Sequence, residues 1–257
     1  MSGGAELRAV VVIPARYAST RFPGKPLVRI GGRPMVEWVY RRAGGAKSLA
    51  RVLVATDDER IARAVRRFGG EVVLTSPDHA TGTDRVAEVA ESLEADVVVN
   101  VQGDEPLIAP EAIDALVAVF TREPEVQMAT LCRRAQSREE IFDPNTARVG
   151  FDRRHFALYF SRAPVPYQRD TAPGNWQPEA AFQHVGVYAY RREFLLQFAK
   201  LPQTPLEQLE KLEQLRALEH GYRIKVVETD YRPVCVDVPA DVEKVEQQMR
   251  KMGLIHD

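Results

Sequence analysis

The first half of the chain alternates short β-branched apolar runs with segments of helical period, and few architectures accept that alternation. "RAVVVIPA" precedes a helix starting near residue 34, "ARVLVATD" precedes "ERIARAVRRFGG", "EVVLTS" precedes "TDRVAEVAESL", and "DVVVNVQGD" precedes "EAIDALVAVF". Repeated strand–helix units predict βαβ crossovers on a parallel sheet. The runs are apolar at nearly every position, as strands covered by helices on both faces should be. In "ERIARAVRRFGG" the residues Ile61, Val65 and Phe68 share one face, and Gly69 with Gly70 ends the helix. The expected fold class is α/β, a doubly wound, mostly parallel, Rossmann-like sheet. At 257 residues the chain can bury one large core.

After Met128 the pattern changes. "ARVGFDRRHFALYFSRAPVPYQ" and "FQHVGVYAYRREFL" read as antiparallel strands around a polar stretch at 169–179, which predicts an inserted antiparallel β subdomain at about 133–205 within a single domain spanning 1–257. "PLEQLEKLEQLRALEHG" then predicts one helix with Leu206, Leu209, Leu212, Leu215 and Leu218 on a common stripe, ended by Gly221. A strand "RIKVVETD" and a last helix from Pro239 return to the main sheet.

Composition excludes several classes of partner. With 35 basic and 36 acidic residues the net charge is -1, so no overall field favours nucleic acid or an anionic membrane. No run has the length of a membrane span and the N-terminus has no secretory pattern, which gives a cytoplasmic expectation. Cys132 and Cys235 lack metal-ligand spacing and read as buried thiols.

Against that balance, the loop after the first strand is locally basic. "IPARYASTRFPGKPL" gathers Arg16, Arg21 and Lys25 among Pro14, Pro23, Gly24 and Pro26. Gly24 permits close backbone approach and the prolines restrict the loop, so it reads as a phosphate cradle or as a solvated basic turn. It is not a P-loop, because G-x-x-x-x-G-K-[ST] is absent. With first-half strand order 3-2-1-4, this loop would lie beside "QGDEP", where Asp104 is either a hard ligand for Mg²⁺ or part of an Asx turn closed by Pro106. Asp237 in "VCVDVPADVEKVE", read as following a strand, is a second candidate carboxylate, although a helix-entry role is locally the simpler reading. "HATGTDRV" places Thr81 and Arg85 at a helix start, either as a cap or as a nucleotide contact. His184 reads locally as a satisfied core histidine, and Glu213 with Gln214 as solvated.

Taken in order, "IPARYASTRFPGKPL", "VATDDERIARAV", "HATGTDRVAEV", "VNVQGDEP", "FALYFSR", "HVGVYAY" and "PLEQLEKLEQLR" resemble the 3-deoxy-manno-octulosonate (Kdo) cytidylyltransferase family across most of the chain. The resemblance implies a nucleotidyltransferase fold and transfer of CMP from CTP to the anomeric hydroxyl of Kdo, with Mg²⁺, pyrophosphate release and a role in lipopolysaccharide synthesis. It also implies a homodimer, with the subdomain serving sugar binding and dimerisation. Ala15, Arg16, Arg21, Lys25, Thr81 and Arg85 match CTP-binding positions, with the backbone near Ala15 and Arg16 expected to read the cytosine edge. Asp104 and Asp237 match metal ligands. Arg16, Lys25, Asp104 and Asp237 form the expected catalytic set. Gln102, Arg162, His184, Tyr188, Glu213 and Gln214 match positions that contact the sugar acid.

Three positions depart from the family pattern: Gln183 where a basic residue is common, Ala189 where glycine is usual, and Val238 where threonine would add a helix cap worth about 1 kcal/mol. They leave His184, Tyr188 and Asp237 in place. The alternative substrates are 8-amino-Kdo or a sialic-acid-like sugar. A uridylyl- or guanylyltransferase for sugar 1-phosphates lacks support because no G-x-G-T-R-like loop is present. A non-catalytic nucleotide-binding regulator is the remaining alternative, and the retained Arg16, Lys25, Asp104 and Asp237 argue against it.

Overall fold

A computed structural model describes residues 7–18 and 22–256. Strand β1 (Ala9–Ala15) leads through a small hairpin, β2 (Arg29–Ile30) and β3 (Arg33–Pro34), into α1 (Met35–Ala43). There follow β4 (Leu49–Thr56), α2 (Glu59–Arg67), β5 (Glu71–Leu74), α3 (Gly82–Glu91), β6 (Val97–Asn100) and α4 (Pro110–Arg122). The second half comprises β7 (Met128–Arg134), α5 (Arg138–Phe142), β8 (Arg148–Phe151), β9 (Ala157–Ser161), β10 (Phe182–Arg191), α6 (Arg192–Phe198), α7 (Pro205–Glu210), α8 (Leu215–Glu219), β11 (Ile224–Glu228) and α9 (Asp241–Lys251).

The central sheet runs β11-β7-β10-β6-β1-β4-β5. One half of it, β5-β4-β1-β6, is parallel and reproduces the expected 3-2-1-4 order. β10 runs against both β6 and β7, and carries the hairpin β8–β9 on its flank. That hairpin shares the main core: Val149 and Phe160 pack in the same cluster as Val10 and Val12 of β1. The packing of β1 explains the sheet's hold on the loop that follows, since every residue from Ala9 to Ile13 is at most 1 % exposed. Five fully buried side chains in succession require cover on both faces, which α1 and α4 on one side and α3 on the other provide.

Helix boundaries follow local chemistry. Asp58 caps α2 by accepting from Arg60 N at 2.8 Å, and Gly69 leaves the helix with φ +79°. Thr81 and Asp84 form a reciprocal capping box at α3, with Asp84 accepting from Thr81 N at 2.8 Å and Thr81 Oγ1 accepting from Asp84 N at 3.1 Å.

Four expectations need correction. The predicted leucine helix is broken: α7 ends at Lys211, which takes left-handed backbone (φ 54°), and α8 starts at Leu215. Leu209 is 80 % exposed while Leu212 and Leu215 are buried. Leucines three apart fall about 60° short of a full turn at each step, so five of them wind around a helix rather than form a stripe. The break also lets Arg216 of α8 fold back on Glu207 of α7, at 2.8 and 2.5 Å, in a buried bidentate pair. Residues before Asp237 form no strand, and α9 has Ala240 as its N-cap, so Val238 does not occupy the capping position. Cys132 is buried as expected, but Cys235 is exposed.

Candidate active site

The carboxyl ends of β1 and β6, with the N-terminal part of β10, open onto a two-lobed cleft, as expected at the reversal of strand order. One lobe, of about 400 Å³, is lined by Ala15, Arg16, Lys25, Gly82, Gln102 and Asp104 among others. The second, of about 490 Å³, shares Gln102 and Asp104 and adds Arg162, His184, Tyr188, Glu213 and Gln214. Gly103, between the two shared residues, lets this turn pack against the end of β1, because a Cβ there would stand 2.7 Å from the Pro14 carbonyl.

In the first lobe Lys25 is fixed by a short 3₁₀ turn entered through Gly24 at φ +72°. Its ammonium donates to Asp104 Oδ2 at 2.7 Å and lies 3.8 Å from Asp237 Oδ1. Asp237 arrives here because Val236 N donates to the Asp104 carbonyl at 3.1 Å, which pins the two distant segments side by side. Asp241 Oδ2 accepts from the backbone of Asp237 and Val238, both at 3.0 Å, and tightens the turn behind them. Arg16 Nη1 donates to Ala80 O at 3.0 Å, whereas its Nη2 is buried without a protein partner. Burial, and then the nearby Arg85, lower the Arg16 pKa from the usual guanidinium value. An unpartnered buried donor on a cation beside a cavity is the chemistry an anion satisfies.

Thr81 caps α3 at the edge of this lobe. Arg85, one turn further on, lines neither lobe: it is fully buried, paired with Asp57 at 3.0 Å and bonded to Thr75 Oγ1. Arg21 lies outside the described residues.

The second lobe gathers all six candidate sugar contacts. Gln102 Nε2 donates to Asn100 Oδ1 at 3.4 Å. The Arg162 guanidinium donates to three carbonyls, those of Glu210, Pro144 and Asn145, at 2.8, 3.0 and 3.1 Å. Tyr188 OH donates to Gln214 Oε1 at 3.0 Å, leaving Gln214 Nε2 buried and unpartnered. Thr83 donates to Glu213 Oε2, and Glu213 Oε1 is likewise buried without a hydrogen bond. Desolvation raises the Glu213 pKa despite the Thr83 bond and Arg216. Desolvation alone lowers the His184 pKa to about 3, so the imidazole is neutral at physiological pH. Glu213 and Gln214 lie in the break between α7 and α8 that follows Lys211.

Several residues of the cleft carry no sequence signal of their own. Glu105 is buried against Tyr231 OH (3.0 Å), and burial followed by Asp104 pushes its carboxyl up to about 8. Its place beside Asp104 in "QGDEP" is the one available hint. Thr83 and Thr130 are ordinary strand or helix residues by pattern, and only the structure brings them under Glu213 and His184. A separate cavity of about 470 Å³ lies at the opposite strand ends, beside Asp96, Arg191 and Arg192. Both of its arginines are occupied by carbonyls of α4, α3 and their flanks, and they offer less to a ligand.

Residues 10–224 match the cytidylyltransferase family model. A 3-deoxy-manno-octulosonate cytidylyltransferase of Syntrophotalea carbinolica is 55 % identical over 243 residues, covering 93 % of this chain and 97 % of the relative. An 8-amino-3,8-dideoxy-manno-octulosonate cytidylyltransferase of Shewanella sp. (strain ANA-3) is 49 % identical, covering 95 % and 99 %. Among solved structures, a CMP:2-keto-3-deoxy-manno-octonic acid synthetase complexed with CTP superposes with a TM-score of 0.89 at 44 % identity, over 95 % of this chain and 99 % of the other.

Proposed function

Since the chain belongs to the cytidylyltransferase family, among its 3-deoxy-manno-octulosonate enzymes, we propose that it transfers CMP from CTP to the anomeric hydroxyl of Kdo, releasing pyrophosphate. The observation that carries this reading is the two-lobed cleft, cationic with an orphaned Arg16 Nη2 on one side and rich in neutral hydroxyl-reading groups on the other. The lobes meet at Gln102 and Asp104, where the reacting atoms belong.

In this reading the first lobe takes CTP. Arg16, Arg21 and Lys25 hold the triphosphate, Thr81 with the α3 terminus borders the nucleoside, and the backbone at Ala15 and Arg16 faces the base. The sugar acid fills the second lobe. Gln214 Nε2 supplies a donor that is unpaired in the protein, and Glu213 Oε1 an acceptor that has no hydrogen bond and stands 3.7 Å from Arg216. Arg162, Tyr188 and Gln102 complete the frame. The hydroxyl oxygen forms a bond to the α-phosphorus and releases its proton to water as the bond to pyrophosphate breaks, and the leaving charge falls toward Arg16 and Lys25. No covalent enzyme intermediate is required.

The carboxylates fit a hard divalent cation such as Mg²⁺. Asp104 and Asp237 both approach the single ammonium of Lys25, so two anionic oxygens already converge on a cation-sized point. Among the described residues no cluster of three metal-ligating groups exists, in keeping with an ion held by one or two carboxylates and completed by phosphate and water. Such an ion supplies Lewis-acid polarisation of the phosphate oxygens. We further place the protein in the cytoplasm as a homodimer, with residues 133–205 serving both sugar binding and subunit contact. No helix of the described residues is long and apolar enough to cross a membrane.

The decisive assay is pyrophosphate release with CTP and Mg²⁺. The expected outcome is release with Kdo and none when Kdo is omitted, with dependence on the divalent ion removed by chelation. Parallel assays with 8-amino-Kdo and a sialic acid resolve the sugar, the former having a named relative. Absence of release with any of the three sugars would falsify the enzymatic reading and return the chain to a nucleotide-binding role.

A further inference from the structure

We propose that Thr130 is a positioning residue that holds His184 as the Nε2–H tautomer, so that bare Nδ1 accepts a hydroxyl of the sugar acid. The second half of this statement rests on the reading of the second lobe as the sugar site.

Thr130 is fully buried in β7, and its Oγ1 meets three groups. These are His184 Nε2 at 2.9 Å, the Val187 carbonyl at 2.9 Å and the Val185 carbonyl at 3.3 Å. A hydroxyl has one proton, and a carbonyl can only accept. If that proton went to His184, Oγ1 would face the Val187 oxygen at 2.9 Å with no hydrogen between them, and a buried acceptor would lose its donor. The hydroxyl therefore donates to Val187 O. Its lone pair is left for His184, and Nε2 must carry the imidazole proton.

The backbone explains why two carbonyls converge on one side chain. β10 pairs with β7 in regular register up to Val185 and again from Tyr188, with a shift between them. A bulge breaks the strict alternation of a strand and re-aims its groups. Gly186, inside the bulge, lines the second lobe together with His184. The ring itself is clamped by Phe160 edge-on at 5.0 Å and by Tyr188 at 5.4 Å, so it cannot readily turn over. Among the described residues Nδ1 has no protein hydrogen-bond partner. With the ring neutral, a bare nitrogen attracts a hydroxyl and repels a carboxylate. His184 thus reads a sugar hydroxyl and not the carboxylate.

Nitrogen NMR of the full-length enzyme labelled at histidine, at neutral pH, reads the tautomer directly. Wild type is expected to show a protonated Nε2 and a bare Nδ1 at His184. In Thr130→Val the oxygen is gone, Nε2–H loses its acceptor, and the proton is expected to shift toward cleft-facing Nδ1. Thr130→Ser restores the wild-type pattern. Thr130→Val should also raise KM for Kdo about five- to tenfold, the worth of one hydrogen bond, with CTP affinity unchanged. A wild-type His184 protonated on Nδ1 overturns the proposal even if the valine variant fails to fold, and so does a tautomer that Thr130→Val leaves unaltered. A tautomer that shifts while KM for Kdo stays fixed overturns the hydroxyl-acceptor role alone, while pyrophosphate release tests the transfer reaction independently.

Discussion

Asp104 carries opposing demands in the proposed reading, since its carboxylate holds Lys25 at 2.7 Å and is also the candidate metal ligand that lines both lobes. Asp104→Asn keeps the shape but removes the charge. Turnover is expected to fall on the order of 10²–10³-fold, as for other groups that stabilise developing charge, with melting temperature little altered. Full activity at limiting Mg²⁺ in a folded variant would reject the ligand assignment. His184 gives a second test at this scale, through pH. Its folded pKa of about 3 lies below the ordinary histidine value of 6.5, so the unfolded chain binds more protons throughout that window. The stability this group contributes is full above pH 6.5 and is lost as pH falls toward 3. Between pH 7 and pH 5, wild type should therefore lose about 1–2 kcal/mol more unfolding free energy than His184→Gln, measured by urea denaturation at both pH values. Equal losses would mean that the ring is not held neutral.

At the scale of elements, the crossover units were legible because each signal is local. β-branched runs bounded by turns marked β1, β4, β5 and β6, and Thr81 marked the start of α3. The leucine-rich segment was legible only in part: a three-residue spacing already winds around a helix, but the break at Lys211, and the Arg216–Glu207 pair that forms across it, have no local signal. The corrected reading separates two leucines that a continuous stripe would treat alike. Leu215→Ala should cost about 2–5 kcal/mol of stability, as buried leucines do. Leu209→Gln should change it by no more than about 0.5 kcal/mol. Similar losses for both, in chemical denaturation, would restore the single helix. Asp237 teaches the same lesson: its segment reads as a strand from composition, yet it is placed by contacts such as the Val236–Asp104 backbone bond and the Asp241 carboxylate behind it.

For the whole molecule, the sheet's strand order decides which distant residues become neighbours, and sequence supplied the candidates without the contacts that orient them. The basic loop and "QGDEP" were expected to meet because β1 and β6 are adjacent, and they do. The hydrogen bonds of the second lobe could not be foreseen, since they join β7, β10, α3 and the α7–α8 break, elements without a shared local motif. The resulting division of the cleft makes a prediction about the molecule as a unit. If CTP occupies one lobe and sugar acid the other, damage to the second lobe leaves nucleotide binding intact. His184→Ala and Glu213→Ala should each raise KM for Kdo tenfold or more, on the order of 1.4 kcal/mol, while CTP affinity measured calorimetrically without sugar stays within about twofold. Glu213 tests this best, because its carboxyl already bears a desolvation cost and its removal should not unfold the protein. A matching loss of CTP affinity in both variants would show that the lobes form one undivided site, and unchanged Kdo kinetics in both would move the sugar elsewhere.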